Sequence, residues 1–135
     1  MAKTFKVRNM DVWLEIVGHY GNGRIAIRLY CNEGVLTNLT VNIDDVPLFE
    51  DNPYASFINT EYTWDYYDFL INNNFATPTG RVVEYDGLEK QAFPEVIFNK
   101  DFLKEYDADN FEEYDAFQEA YRDVKEIRKM QENKS

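Results

Sequence analysis

The stretch VWLEIVGHYGNGRIAIRLYCNEGVLTNLTVNI, residues 12–43, decides the fold because it has the pattern of three β-strands joined by short turns. Residues 12–17 are rich in β-branched and aromatic side chains, and the Asn-Gly pair at 22–23 is a strong hairpin signal. In residues 24–30 apolar side chains alternate with arginine and alanine, which predicts one face toward a core and one toward water. Residues 35–43 alternate in the same way, so the stretch predicts an antiparallel meander.

A helix is predicted in the middle of the chain, at roughly residues 62–73, because aromatic and aliphatic side chains recur there at helical spacing. Either Thr60 or Thr63 can cap its first turn with a hydroxyl oxygen. The three asparagines at 72–74 predict its end, since asparagine tolerates the left-handed backbone that often follows a helix.

The segment TPTG, residues 77–80, lies between that helix and a predicted strand at residues 81–85. A phosphate-binding loop presents its N–H groups at a helix N-terminus, whereas this segment leaves a helix C-terminus. The sequence therefore favours a structural turn. A further strand is predicted at residues 92–98, where Pro94 indicates a sheet edge, and a short helical turn at residues 101–106.

The last predicted element is a helix over about residues 110–130, with Asp109 as its N-cap. One face carries an apolar stripe at spacings i, i+3, i+7 and i+10: Tyr114, Phe117, Tyr121 and Val124. Five carboxylates fall on the opposite side and extend over about 21 Å of helix. These five, which we call the acidic stripe, are Glu112, Asp115, Glu119, Asp123 and Glu126.

Together these elements predict an α+β fold, with an antiparallel sheet of four or five strands packed by a mid-chain helix and a long C-terminal helix. A chain of 135 residues has the length of one domain. We expect residues 1–130 to form that domain and the polar residues 131–135 to form a frayed tail.

Acidic residues dominate the charge and are unevenly placed. The chain has 25 acids and 14 basic residues, for a net charge of -11, and residues 29–80 contain no lysine or arginine. Residues 101–119 contain eight acids and Lys104 alone. Such a field repels nucleic acid and anionic membranes and favours a basic partner. A solvated helix face that only keeps the protein soluble is the ordinary alternative.

Other features place the protein in the cytoplasm and away from membranes. A single cysteine excludes an intrachain disulfide, and no apolar run approaches the roughly 18 residues of a membrane span. The first ten residues lack the apolar core of a signal peptide.

The residues needed for several kinds of catalysis are scarce. His19 is the only histidine, and a nucleophilic pair of Cys31 with His19 is disfavoured because a turn histidine and a small buried thiol are the ordinary explanations. Zinc needs more cysteine and histidine ligands than these two. The acids at 44–51 lack the spacing of an EF-hand. We expect no enzyme activity, no metal and no cofactor.

The segments LTVNIDDVPL, ASFINT, WDYYDFLINNNFATPTGR and YDAFQEAY occur in that order between residues 39 and 121. In this order the chain resembles a family of small acidic proteins of unknown function encoded on conjugative elements and phages of Firmicutes and related gut bacteria. Members of that family often carry a glycine- and cysteine-rich patch after PTGR, which VVEYDGLEKQAF lacks. The resemblance implies an accessory protein of a mobile genetic element that acts on host defence or plasmid maintenance. The residues that carry it most specifically are Phe57, Asn59, Thr60, Trp64, Phe69, Leu70, Asn74, Phe75, Pro78, Thr79, Gly80 and Arg81.

These observations predict a non-enzymatic binding protein whose acidic surface engages a basic host protein, one of defence or of nucleic-acid handling. Mimicry of DNA is the sharper form, because carboxylates ~5–6 Å apart on a helix form a row of negative charge. The alternative is a small-ligand binding module in which Trp64 and Tyr67 line an aromatic pocket and Thr79 and Arg81 hold an anionic group. Core packing is the ordinary explanation for those aromatic residues.

Overall fold

The computed structural model describes residues 3–60, 63–86 and 90–132, and these form two four-stranded antiparallel sheets and three α-helices. The first sheet has the spatial order β1-β2-β3-β4, with strands β1 (Phe5–Val7), β2 (Met10–His19), β3 (Ile25–Cys31) and β4 (Gly34–Asn38). The second has the order β5-β6-β8-β7, with strands β5 (Thr40–Val41), β6 (Ala55–Ile58), β7 (Ala76–Asp86) and β8 (Lys90–Phe98). The helices are α1 (Asp65–Asn72), α2 (Lys100–Tyr106) and α3 (Ala108–Glu132). The α+β class, the mid-chain helix and the long C-terminal helix are confirmed.

The strands are divided between two sheets because the predicted strand at residues 35–43 is interrupted at Leu39. This side chain is fully buried. Its N–H donates to the carbonyl of Ile27 at 2.9 Å, and its carbonyl accepts from the N–H of Asn59 at 2.8 Å. The backbone of Leu39 therefore bonds to β3 on one side and to Asn59 on the other, where the chain passes from β4 into β5. The alternation of residues 35–43 does not reveal this break.

The Asn-Gly hairpin signal is confirmed, and the turn also contacts α3. Gly23 has φ +89° and donates its N–H to the carbonyl of Tyr20 at 2.9 Å. Its carbonyl accepts from Nε2 of Gln118 at 2.5 Å. A Cβ atom at this position would lie 2.8 Å from the ring of Tyr121, so the close packing of α3 on the turn requires glycine.

The predicted turn at residues 77–80 is wrong, because this segment is a bulge inside β7. Pro78 pairs with Val96 and Val82 pairs with Pro94, so three residues of β7 face Glu95 alone. Gly80, with φ +90°, supplies the backbone geometry that lets the strand continue past the extra residues.

The prediction that Pro94 marks a sheet edge is also wrong, since β8 lies between β6 and β7. The pairing of β6 with β8 stops at Phe57 and Glu95. Pro94 is the next residue, so its missing N–H removes no bond from that ladder.

Helix α1 begins at Asp65, where the hydroxyl oxygen of Thr63 accepts the Asp65 N–H at 3.0 Å. The hydroxyl of Thr60 instead donates to the carbonyl of Ala92 in β8. Glu61 and Tyr62, which the sequence assigned to the start of this helix, lie outside the described residues. Asn74 has φ +62°, as predicted for the helix end.

The prediction that Asp109 is the N-cap of the C-terminal helix is wrong, because α3 begins at Ala108 and Asp109 lies inside its first turn. Asp107 occupies the preceding position, and its carboxylate accepts the N–H of Ile16 at 2.9 Å. The hydroxyl of Tyr106 accepts the N–H of Leu14 at 3.1 Å. These two side chains cover backbone donors of β2 beyond the reach of the short β1. Residues 131 and 132 continue the helix, and residues 133–135 of the predicted tail lie outside the described part.

The main core fills the space between the two sheets and the helices, with Leu14, Leu29, Phe75 and Phe98 among its most buried members. A smaller cluster of Ile43, Phe57 and Phe93 lies on the other face of the second sheet. Residues 42–54 connect β5 to β6 and include Val46 and Leu48, which pack on that cluster. Among the described residues, no helix has both the length and the apolar character needed to cross a bilayer.

Candidate functional site: the charged surface of the C-terminal helix

Helix α3 packs on the domain with its first half only. Phe111 and Tyr114 are buried, and the ring of Phe117 stacks on His19 with centroids 3.7 Å apart. Every residue from 122 to 132 is exposed, which leaves about 16 Å of helix in solvent. The predicted apolar stripe is therefore covered as far as Tyr121, whereas Val124 is 47% exposed.

Four members of the acidic stripe are exposed and Asp115 is partly buried. At 100° per residue all five fall within an arc of about 80°, so α3 presents them on one face. Among the described residues, no lysine, arginine or histidine nitrogen lies within 4.0 Å of the carboxylates of Glu112, Glu119, Asp123 or Glu126. The charge of these four side chains is available to a partner.

Asp115 differs from the other four because it is bonded into the fold. Its Oδ1 accepts a hydrogen bond from the hydroxyl of Tyr54 at 2.5 Å and lies 3.9 Å from Nζ of Lys100. Burial, followed by the hydrogen bond to this carboxylate, raises the pKa of Tyr54 well above its usual value. Tyr54 therefore stays protonated and remains the donor.

The two halves of α3 differ in charge. Residues 108–121 contain five acids and no lysine or arginine. Residues 122–132 contain four basic residues and three acids. A groove of about 640 Å³ runs along the second half and places acidic and basic side chains side by side. Its charged lining residues are Asp51, Lys100, Asp115, Glu119, Arg122, Lys125, Glu126 and Lys129. The acidic stripe is thus uniform in its first half and bordered by cations in its second.

The residues of the predicted ligand pocket form two separate pairs. Trp64, 44% exposed, makes a T-shaped contact with Tyr67 of α1, with ring centroids 5.5 Å apart. Thr79 and Arg81 lie in the bulge of β7 and both contact Glu95. The first pair lies at α1 and the second lies in β7, so the four residues are not shown to line one pocket.

Glu95 is a buried carboxylate that the sequence interpretation missed. Its Oε1 accepts from the hydroxyl of Thr79 at 2.9 Å and lies 3.2 Å from Nε of Arg81. Its Oε2 accepts the N–H of Phe49 at 2.9 Å, and Arg81 also donates to the carbonyl of Pro47 at 2.7 Å. A glutamate in the middle of the apolar strand AFPEVIF is the signal that could have found this cluster, since a buried charge needs partners.

The geometry separates the two residues considered for nucleophilic catalysis. His19 pairs with Ile25 at one end of β2, and Cys31 pairs with Val12 near the other. Seven residues of strand separate the two positions by about 23 Å. In the part of the chain that the structure describes, no three His, Cys, Asp or Glu side chains are arranged to hold a metal ion.

The family described as Domain of unknown function (DUF4313) matches residues 13–118 of the chain. The match includes the second sheet, α1, α2, the first half of α3 and most of the first sheet, but it leaves out β1 and the start of β2. No curated protein and no solved structure matches the chain.

Proposed function

Because the chain belongs to the DUF4313 family, whose description assigns no function, we propose its role from its own surface: it is a non-enzymatic binding protein whose acidic face engages a basic protein. The first half of α3 and the exposed members of the acidic stripe form that face. One observation carries the proposal, namely that residues 108–121 present five acids and no basic residue. Glu112, Glu113 and Glu119 are exposed within this segment.

The physical basis is electrostatic attraction over a wide surface. An acidic patch on a protein of net charge -11 accelerates encounter with a positively charged partner, and the attraction weakens as salt is added. Glu119 and Asp123, four residues apart on one helix face, have similar charges at close spacing and repel each other. A partner that supplies lysine or arginine relieves this repulsion.

The finer parts of the proposal concern the partner. A host protein of defence or nucleic-acid handling has the basic cleft that such a face would fill, and a row of carboxylates competes there with phosphate. A location on conjugative elements or phages is supported by the sequence resemblance alone.

The test is a pull-down from host lysate with elution by a salt gradient. In the stripe variant, Glu112, Glu119, Asp123 and Glu126 are replaced by lysine and Asp115 is retained, because Asp115 is bonded to Tyr54. We expect the wild-type chain to retain a basic protein that elutes at moderate salt, and the stripe variant to lose it.

The matched control reverses four exposed acids away from α3. The control replaces Glu33, Asp45, Asp68 and Glu84 by lysine. It has the same net charge as the stripe variant, so the two proteins differ only in where the charge lies. Retention by the control and loss by the stripe variant supports the proposal. Equal retention by both variants, or equal loss from both, contradicts a localised acidic face. Release of the retained protein by duplex DNA separates mimicry of nucleic acid from other acidic binding.

A further inference from the structure

The second half of α3 exposes a short, mostly apolar seam, which begins beside the packed face and includes Val124 of the apolar stripe. Val124 and Ile127 are 47% and 53% exposed, and Ala120 and Gln131 are also exposed. These four positions follow one another at spacings of four, three and four. That is the spacing of the a and d positions of a coiled coil, with Ala120 and Ile127 at d and Val124 and Gln131 at a.

The charges beside this seam have the spacing of an interhelical pair. Asp123 lies on one flank, at position g, and Arg128 lies on the other, at position e. Both are exposed, and neither has an ion-pair partner within 4.0 Å among the residues that the structure describes. Pairs within one helix form between residues three or four apart. Residues 119, 120, 126 and 127 occupy those positions around Asp123, and none of them is basic.

We propose that residues 120–131 of α3 pair in parallel with the same segment of a second copy of this chain. In a parallel pair the g position of one helix faces the e position five residues later on its partner, so Asp123 meets Arg128 twice across the two-fold axis. Antiparallel pairing brings like flanks together, e against e and g against g, so Asp123 then no longer faces Arg128. Charge complementarity therefore selects both the occupant and its direction.

The pairing is compatible with the acidic face. The centre of the acidic stripe lies roughly 110° around α3 from the seam. A dimer therefore engages Asp123 and leaves Glu112, Glu119 and Glu126 on its outer surface. The seam extends over fewer than two heptads, which is short for a coiled coil. We therefore expect a weak dimer whose population rises with concentration.

The test is sedimentation velocity and equilibrium of the full chain over a wide concentration range, up to about 1 mM. We expect the average mass to rise from 16.0 kDa toward twice that value. Asp123→Arg or Arg128→Asp alone should weaken association at least tenfold, because each places like charges on facing flanks. The double variant with both changes should restore it.

A matched control exchanges the charges of Glu119 and Arg122, which lie outside the seam at positions c and f. This exchange should leave the dimer unchanged. Because all the altered side chains are exposed, circular dichroism should show the same helix content in each variant. A monomer at every concentration overturns the proposal, and so does a dimer that the double variant fails to restore.

Direction is tested by disulfide trapping in a Cys31→Ser background. Parallel pairing places the two copies of residue 131 together in the seam, so Gln131→Cys should cross-link efficiently under mild oxidation. Lys129→Cys, on the outer face, should not. Equal cross-linking at the two positions contradicts the parallel arrangement.

Discussion

Glu95 and Glu119 carry the same side chain in opposite environments. The carboxylate of Glu95 is fully buried in β8 and is bonded to Thr79, Arg81 and the backbone of Phe49. The carboxylate of Glu119 is exposed on α3 with no basic nitrogen within 4.0 Å among the described residues. The carboxylate of Glu95 therefore contributes to the stability of the domain, whereas the carboxylate of Glu119 is accessible to a partner.

The comparison shows that the number of acids in the chain does not by itself describe its surface. Desolvating a carboxylate costs several kcal/mol, so Glu95 persists only because three donors surround it. Placing a carboxylate on a solvated helix costs almost nothing, so the acidic stripe is free to be selected for binding. Substitutions that remove one partner at a time measure this difference.

The largest effect is expected for Arg81→Met. This change removes the cation beside Glu95 and the bond to Pro47, and it leaves a buried carboxylate without its counter-charge. Breaking a buried pair costs about 3–5 kcal/mol, and the partial exposure of Arg81 places the expected loss at about 3 kcal/mol. Urea denaturation followed by circular dichroism measures it.

The control for that variant is the double change Arg81→Met with Glu95→Leu. Replacing both ions by apolar side chains of similar volume should recover most of the lost stability, because no buried charge then remains. If the double variant is no more stable than Arg81→Met alone, the cost comes from packing and the ion pair is not its source.

A second effect is expected at high pH. Burial raises the pKa of Tyr54, Tyr106 and Tyr114 above the usual value. The unfolded chain ionises its tyrosines near pH 10, whereas the folded chain keeps these three neutral. Proton release then favours the unfolded state, so the contribution of these tyrosines to stability should be constant below about pH 10 and should be lost as the pH rises further.

The measurement is the urea midpoint as a function of pH. Tyr114→Phe and Tyr54→Phe should each reduce the steepness of the alkaline fall, and the double variant should reduce it further. An unchanged slope in the double variant would mean that other groups cause the alkaline loss.

The sequence predicted those parts of the fold that depend on local periodicity. The hairpin at Asn22 and Gly23 and the long C-terminal helix follow from turn chemistry and from spacing within one element. The bulge at Gly80 looks like a turn in the sequence because a proline and a glycine two residues apart, at 78 and 80, are typical of both. Only the pairing of β7 with β8 distinguishes the two, and that pairing joins residues distant in sequence.

The candidate site was predictable to a similar extent. Helical spacing alone places the acidic stripe on one face of α3. The sequence could not show that Asp115 is held by Tyr54, because 61 residues separate the two. For the same reason it could not show that Arg81 is directed at Glu95 and is already engaged there.

The smallest effects, and the most informative within the stripe, come from Asp115→Ala and Glu119→Ala. Removing Asp115 leaves the hydroxyl of Tyr54, a residue only 3% exposed, without its acceptor, which should cost about 2 kcal/mol. Removing Glu119 breaks no contact of the fold and relieves repulsion from Asp123, so stability should change by less than about 0.5 kcal/mol. Urea denaturation of both variants, with retention of the basic partner measured in parallel, tests the division. If Glu119→Ala weakens partner binding without unfolding the domain, the stripe is a binding surface. If Glu119→Ala is as destabilising as Asp115→Ala, both carboxylates belong to the fold and the distinction from Glu95 is lost.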